Sequence, residues 1–121
     1  MAEILVIDDD RQLRRLLSRV LKGAGHTVQE ANDGKEGIAL FHRTRPALVI
    51  TDIVMPDMEG IETIQELRRE APALPILAIS GGSNLSLYLR LAGSLGSTTT
   101  LAKPFGNDEL LSIVEKLLKT T

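Results

Sequence analysis

Short apolar runs alternate with helix-spaced segments along the whole chain, and that alternation constrains the fold more than any other feature. Ile4 to Ile7 is a run of β-branched residues and leucine, which reads as a buried strand. Leu13, Leu16, Leu17, Val20 and Leu21 then recur at helical spacing, and Gly23 and Gly25 close that helix. Thr27 to Ala31 reads as a second strand, Asn32-Asp33-Gly34 as a turn, and Ile38, Ala39, Phe41 and His42 as a second helix broken by Arg45-Pro46. Ala47 to Thr51 forms a third strand that ends in Asp52. Ile61, Ile64 and Leu67 mark a helix stopped by Pro72 and Pro75, and Ile76 to Ile79 form the fourth strand. A leucine-rich helix over 84–95 follows Ser80-Gly81-Gly82. Thr98 to Ala102 is the fifth strand, and Asn107 caps a last helix carrying Leu110, Ile113, Val114 and Leu117.

Strand and helix in strict alternation imply a parallel sheet with helices on both faces, and right-handed crossovers make it doubly wound. In such a sheet the site lies outside the carboxyl ends of the strands, at the topological switch point. A chain of 121 residues with 43% hydrophobic content suits one domain with one buried sheet, expected over 1–121. The chain ends at Thr121, soon after the last helix, so no second domain is expected within it, and it reads either as a standalone domain or as one cut from a longer protein. The absence of cysteine excludes a disulfide framework and thiolate zinc ligands. A net charge of −2 gives no footprint for nucleic acid and no polybasic patch for a membrane. Without a secretion signal or a membrane-length apolar run, a soluble cytoplasmic domain is expected.

The strand ends carry the chemistry. Asp8 and Asp9 follow strand one, Asp52 ends strand three, Ser80 ends strand four and Lys103 follows strand five. Three like charges in the run Asp8-Asp9-Asp10 repel one another, and a bound cation relieves that repulsion. No histidine lies at any strand end, so a hydrolytic triad is not built here. Carboxylates, a hydroxyl and an ammonium suit a hard cation and a phosphoryl group. A carboxylate can itself accept a phosphoryl group. A lone Asp after a strand is as often a plain helix cap, and Asp10 reads as such a cap or as a first-turn residue favourable to the helix dipole. His26 and His42 belong to no motif and read as surface or core-edge residues. The combination at four strand ends outweighs the ordinary reading of each residue.

Those residues sit in the motifs ILVIDDD, TDIVMPDMEG, ILAISG and LAKPF, and with them the chain resembles the receiver domain of two-component response regulators. It is similar to the chemotaxis receiver over essentially its whole length. The resemblance implies a flavodoxin-like (βα)5 fold whose five-stranded parallel sheet has the order 2-1-3-4-5. It implies that Asp52 is the phosphoacceptor. It implies that Asp9, Asp52 and the backbone carbonyl of Val54 bind Mg²⁺, or Mn²⁺ in its place, with Asp8 acting through water. Ser80 is implied as the switch hydroxyl and Lys103 as the cation that pairs with Asp52 and then with the phosphate. The Lys103-Pro104 peptide is expected to be cis. The implied donor is a histidine kinase or a histidine phosphotransfer protein. The domain would promote only its own Mg²⁺-dependent phosphorylation and dephosphorylation, and would not otherwise be an enzyme.

Three positions depart from the family. Thr100 stands at the relay position where an aromatic is usual, Gly81-Gly82 follows the switch serine, and Val54 offers only its backbone. These changes touch the downstream relay rather than the acceptor. A pseudo-receiver acting as a binding module would have lost an acidic residue or Lys103. An aspartate-nucleophile phosphatase wants a second acid two residues after its nucleophile, where Val54 stands. A flavodoxin-type cofactor binder wants a Ser/Thr-rich loop where this chain has DDDRQ. The helix over 84–95 carries more leucine than a core-facing stripe needs. The last helix repeats the excess with Leu111, so Leu87, Leu91 and Leu111 are expected to be exposed. The resemblance implies that the helix over 84–95, strand five and the last helix share one face, an interface for a second copy or an output partner.

Overall fold

The computed structural model describes residues 2–53, 59–81 and 98–119. Their elements run β1 (Glu3–Ile7), α1 (Arg11–Gly23), β2 (Thr27–Ala31), α2 (Gly34–Thr44), β3 (Leu48–Asp52), α3 (Glu59–Glu70), β4 (Ile76–Gly81), β5 (Thr99–Lys103) and α4 (Asn107–Lys119). The leucine-rich helix expected over 84–95, with Leu87 and Leu91, lies outside the described residues, as does Val54.

All the strand pairings are parallel, and the order is β2-β1-β3-β4-β5. The apolar runs read as strands because each must be buried on both faces. Period-two alternation then sorts every strand into two cores. Ile4 and Val6 of β1, Leu48 and Ile50 of β3, and Leu77 and Ile79 of β4 pack under α1 and α4, meeting Leu17, Leu21, Leu110 and Val114. Leu5 and Ile7, Val49, and Ile76 and Ala78 face the other way, onto Phe41 of α2 and Ile61, Ile64 and Leu67 of α3. Gly37 lets α2 approach, since a Cβ there would stand 2.4 Å from Ile7 Cδ1.

The caps show how the chain turns at the carboxyl edge. Asp10 caps α1, its side chain accepting from the Gln12 and Leu13 amides at 3.0 and 3.2 Å. Asp33 caps α2 by accepting from the Glu36 amide at 2.8 Å, while Glu36 Oε1 accepts from the Asn32 amide. That helix ends at Arg45, whose φ of 46° is left-handed and whose guanidinium lies 4.9 Å from the centre of the Phe41 ring. His26 is buried at the core edge, where its Nδ1 accepts from the Ala2 amide at 3.2 Å. His42 is exposed and meets Glu70 Oε1 at 2.5 Å.

Four expectations are corrected. The last helix begins at Asn107 itself, and the Gly106 carbonyl accepts from the Leu110 amide at 3.1 Å, so the capping position is Gly106. The fifth strand is shifted by one residue, so Lys103 ends it rather than following it. Leu16 is 47% exposed instead of joining the core, because Leu13, Leu17, Val20 and Leu21 already fill the stripe that α1 turns inward. Leu111 is half-buried against the core alongside Ile113, Leu117 and Leu118, so it is not the open surface leucine that the helical spacing suggested.

Candidate functional site

The three strand-end carboxylates converge. One oxygen from each of Asp8, Asp9 and Asp52 lies within 4.8 Å of the others. β1 and β3 are neighbours in register, with Ile7 opposite Thr51, so the next residues, Asp8 and Asp52, leave the sheet side by side. Asp8 and Asp52 are buried and Asp9 is exposed. Asp10 points away as the α1 cap, so the third acid of the run serves the helix rather than the cluster.

Asp8 is held on several sides. Its amide donates to the Ala31 carbonyl at 3.1 Å, and its Oδ1 accepts from the Asp10 amide at 2.8 Å. Its Oδ2 is buried without a hydrogen-bond partner. Burial pushes the Asp8 carboxyl up to about 6. The hydrogen bond from the Asp10 amide opposes that shift, the charges of Asp52 and Asp9 add to it, and Lys103 opposes it. Such an orphaned oxygen in an all-oxygen donor set fits a hard divalent cation.

Lys103 reaches the cluster from the end of β5. Its Nζ donates to Asp52 Oδ2 at 3.3 Å, with the Asp52 side chain 6% exposed and that of Lys103 32% exposed. Ser80 is buried near the end of β4, one residue beyond the Asp52–Ile79 register pair. The Lys103-Pro104 peptide is cis, as expected. Thr100 is exposed on β5, three residues before Lys103. The structure thus brings Asp8, Asp9, Asp52 and Lys103 together, with Ser80 on the adjoining strand end. Val54, Leu87 and Leu91 fall outside the described residues.

Two neighbours of the cluster have structural reasons that the sequence alone does not give. Gly60, near the start of α3, lies so close to the end of β3 that a Cβ would stand 2.3 Å from the Asp52 carbonyl oxygen and 2.8 Å from that of Ile53. The motif contains Gly60, but only the packing gives its reason. Arg14 donates to the Asp8 carbonyl at 2.8 Å, yet in sequence it is one of four arginines on α1.

Comparison with known proteins places this geometry in a family. The response regulator receiver domain profile matches residues 4–115. The response regulator MprA of Mycobacterium leprae (strain TN) is 39% identical over 119 residues, covering 98% of this chain and 51% of that protein. MprA of Mycolicibacterium vanbaalenii is 40% identical over the same length. The chain therefore spans about half the length of the curated relatives it matches. Among solved structures, the receiver domain of NtrX from Brucella abortus superposes with a TM-score of 0.90 at 30% identity, covering 98% of this chain and 99% of that one. The chemotaxis protein CheY4 of Vibrio cholerae superposes with a TM-score of 0.88 at 30% identity, covering 97% and 98%. With the profile, the relatives and the carboxyl-edge acids in agreement, the chain belongs to the response regulator receiver domain family of two-component systems.

Proposed function

We propose that the domain is a phosphorylation switch in which Asp52 accepts a phosphoryl group from the phosphohistidine of a kinase or phosphotransfer protein. The observation that carries this reading is the Asp52 carboxylate, buried beside Asp8 and Asp9 and bonded to the Lys103 ammonium at 3.3 Å. An Asp52 oxygen forms the new P–O bond as the P–N bond of the donor breaks. The imidazole keeps the electron pair and takes up a proton. The product is an acyl phosphate, and the reaction is mostly positioning and charge neutralisation.

Asp9, Asp52 and the Val54 carbonyl would hold Mg²⁺, with Asp8 acting through water. Bound there, the ion would offset the charge that gathers on the phosphoryl oxygens. Lys103 supplies the remaining positive charge and, once Asp52 is phosphorylated, transfers its hydrogen bond to the phosphoryl group. The Ser80 hydroxyl donates to that same group, and its movement is the local event read elsewhere. The protein works in the cytoplasm and is a signalling domain rather than an enzyme with a separate substrate. Its output leaves through β5 and α4, where exposed Thr100 stands at the relay position, toward a second copy or an output partner.

Intact mass after incubation with acetyl phosphate and Mg²⁺ tests the reading. One adduct of roughly 80 Da that needs the metal supports it. A chain that never labels, with or without metal, is instead a binding module on the receiver fold.

A further inference from the structure

Arg14 lies on α1, yet its side chain turns back to the end of β1. Its Nη1 donates to the Asp8 carbonyl at 2.8 Å and to Asn32 Oδ1 at 3.4 Å, and its Nε donates to Glu30 Oε1 at 3.1 Å. The Arg14 side chain is only 13% exposed, whereas Arg11, Arg15 and Arg19 on the same helix are exposed. Glu30 belongs to β2 and Asn32 follows it, so one guanidinium joins α1 to the carboxyl ends of two strands.

The Asp8 carbonyl is the first half of the peptide that links Asp8 to Asp9. Fixing it fixes the plane from which both carboxylates project. The Asp8 amide is already tied to Ala31, and the Asp10 amide to Asp8 Oδ1. The Arg14 bond adds a restraint on the Asp8 carbonyl between them. A rigid fork of donors suits that task better than a flexible ammonium.

We propose that Arg14 is a positioning residue for the acidic cluster, setting the Asp8–Asp9 peptide so that both carboxylates face one divalent cation. The inference rests on the metal-site reading above. Groups that orient metal ligands contribute to affinity without touching the ion. The sign of the effect separates this role from the alternatives. Arg14 carries a positive charge near a cation site, so its field alone opposes metal binding. If only the field mattered, removing Arg14 would tighten binding. If Arg14 were merely a bolt between α1 and β2, its removal would lower the melting temperature and leave affinity unchanged.

The experiment titrates full-length chain with Mn²⁺ and follows the free ion by electron paramagnetic resonance. Wild type, Arg14→Met, Arg14→Lys and Arg15→Met are compared, with melting temperatures taken in chelator. Arg14→Met is expected to weaken Mn²⁺ binding about 10- to 100-fold. Arg15→Met, which removes an exposed charge from the same helix, is expected to leave binding unchanged or slightly tighter. Arg14→Lys keeps the charge and loses the fork, and weakened binding there supports the proposal even if Arg14→Met does not fold. Wild-type or tighter affinity in both Arg14 variants overturns it. A wild-type chain that binds no Mn²⁺ overturns the metal-site reading itself, and this inference with it.

Discussion

Lys103 Nζ and Asp52 Oδ2 meet at 3.3 Å across two strand ends that are 51 residues apart in sequence. The ammonium is partly open to solvent and the carboxylate is not. Lys103 can therefore change partners while Asp52 stays in place, as the proposed role of Asp52 as phosphoryl acceptor requires. Asp52→Asn removes the proposed nucleophile with almost no change in volume. It should abolish the phosphoryl adduct in intact mass while the fold, followed by circular dichroism, is kept. Full labelling of that variant would place the acceptor elsewhere.

Asp8 sets a pH dependence. Its carboxyl is raised to about 6 by burial, above an unfolded value near 4, so the folded state holds the proton more tightly than the unfolded chain. Stability from this group is therefore present below pH 4 and lost as pH rises from about 4 through 6. Asp8→Asn should stabilise the metal-free protein at pH 7 by on the order of 1–2 kcal/mol and flatten its pH profile between 4 and 6. Mg²⁺ should raise the wild-type melting temperature at pH 7.5 more than at pH 5, because the ion competes with that proton. Urea unfolding across pH, with and without Mg²⁺, checks both.

Gly60 offers a test in which two effects oppose each other. Alanine in a helix is favoured over glycine by about 1 kcal/mol. Here its methyl group would meet two backbone carbonyl oxygens at 2.3 and 2.8 Å, and backbone cannot swing away as a side chain can. Gly60→Ala should be destabilising overall, by roughly 1–3 kcal/mol, and should slow acetyl phosphate labelling because the Asp52 main chain must move. A more stable variant with unchanged labelling would show that the approach is looser than this geometry implies.

Arg68 closes the opposite end of the sheet. Its Nη1 donates to the Pro72 and Leu74 carbonyls at 3.0 and 2.7 Å, and its Nη2 to Thr98 Oγ1 at 3.1 Å, just before β5. Burial lowers the tendency of this guanidinium to hold its charge. Arg68→Ala should cost about 1–3 kcal/mol in chemical unfolding by leaving inward carbonyls without a donor. Mn²⁺ affinity should not change, since the acidic cluster lies at the other edge.

The three central strands were legible because each carries a continuous apolar run, and the carboxyl-edge acids because the alternation of elements predicts where a doubly wound sheet puts its site. Thr27–Ala31 agrees residue for residue. The misses share a physical cause, in that each depends on what a residue faces. Helical spacing assigns Leu16 to a face but cannot tell that the inward stripe is already full. Asn107 is a good capping residue by type, yet the carbonyl of Gly106 occupies the cap position. Arg14 and Gly60 meet backbone atoms at the ends of neighbouring strands, contacts that helical spacing and residue type do not encode.

The pairing of Ile7 with Thr51 has a consequence for how such a chain can diverge. Continued by one residue, the ladder sets Asp8 level with Asp52, about one inter-strand spacing of 4.8 Å apart. Main-chain hydrogen bonds thus fix the spacing of the charges, and strand movement cannot relax it. An insertion of one residue in β1 would turn every core side chain beyond it to the opposite face of the sheet. The same insertion would carry Asp8 about 3.3 Å past Asp52. Strand length is a common gauge for the hydrophobic core and for the acidic site, so substitutions can accumulate in this domain where a change of strand length cannot.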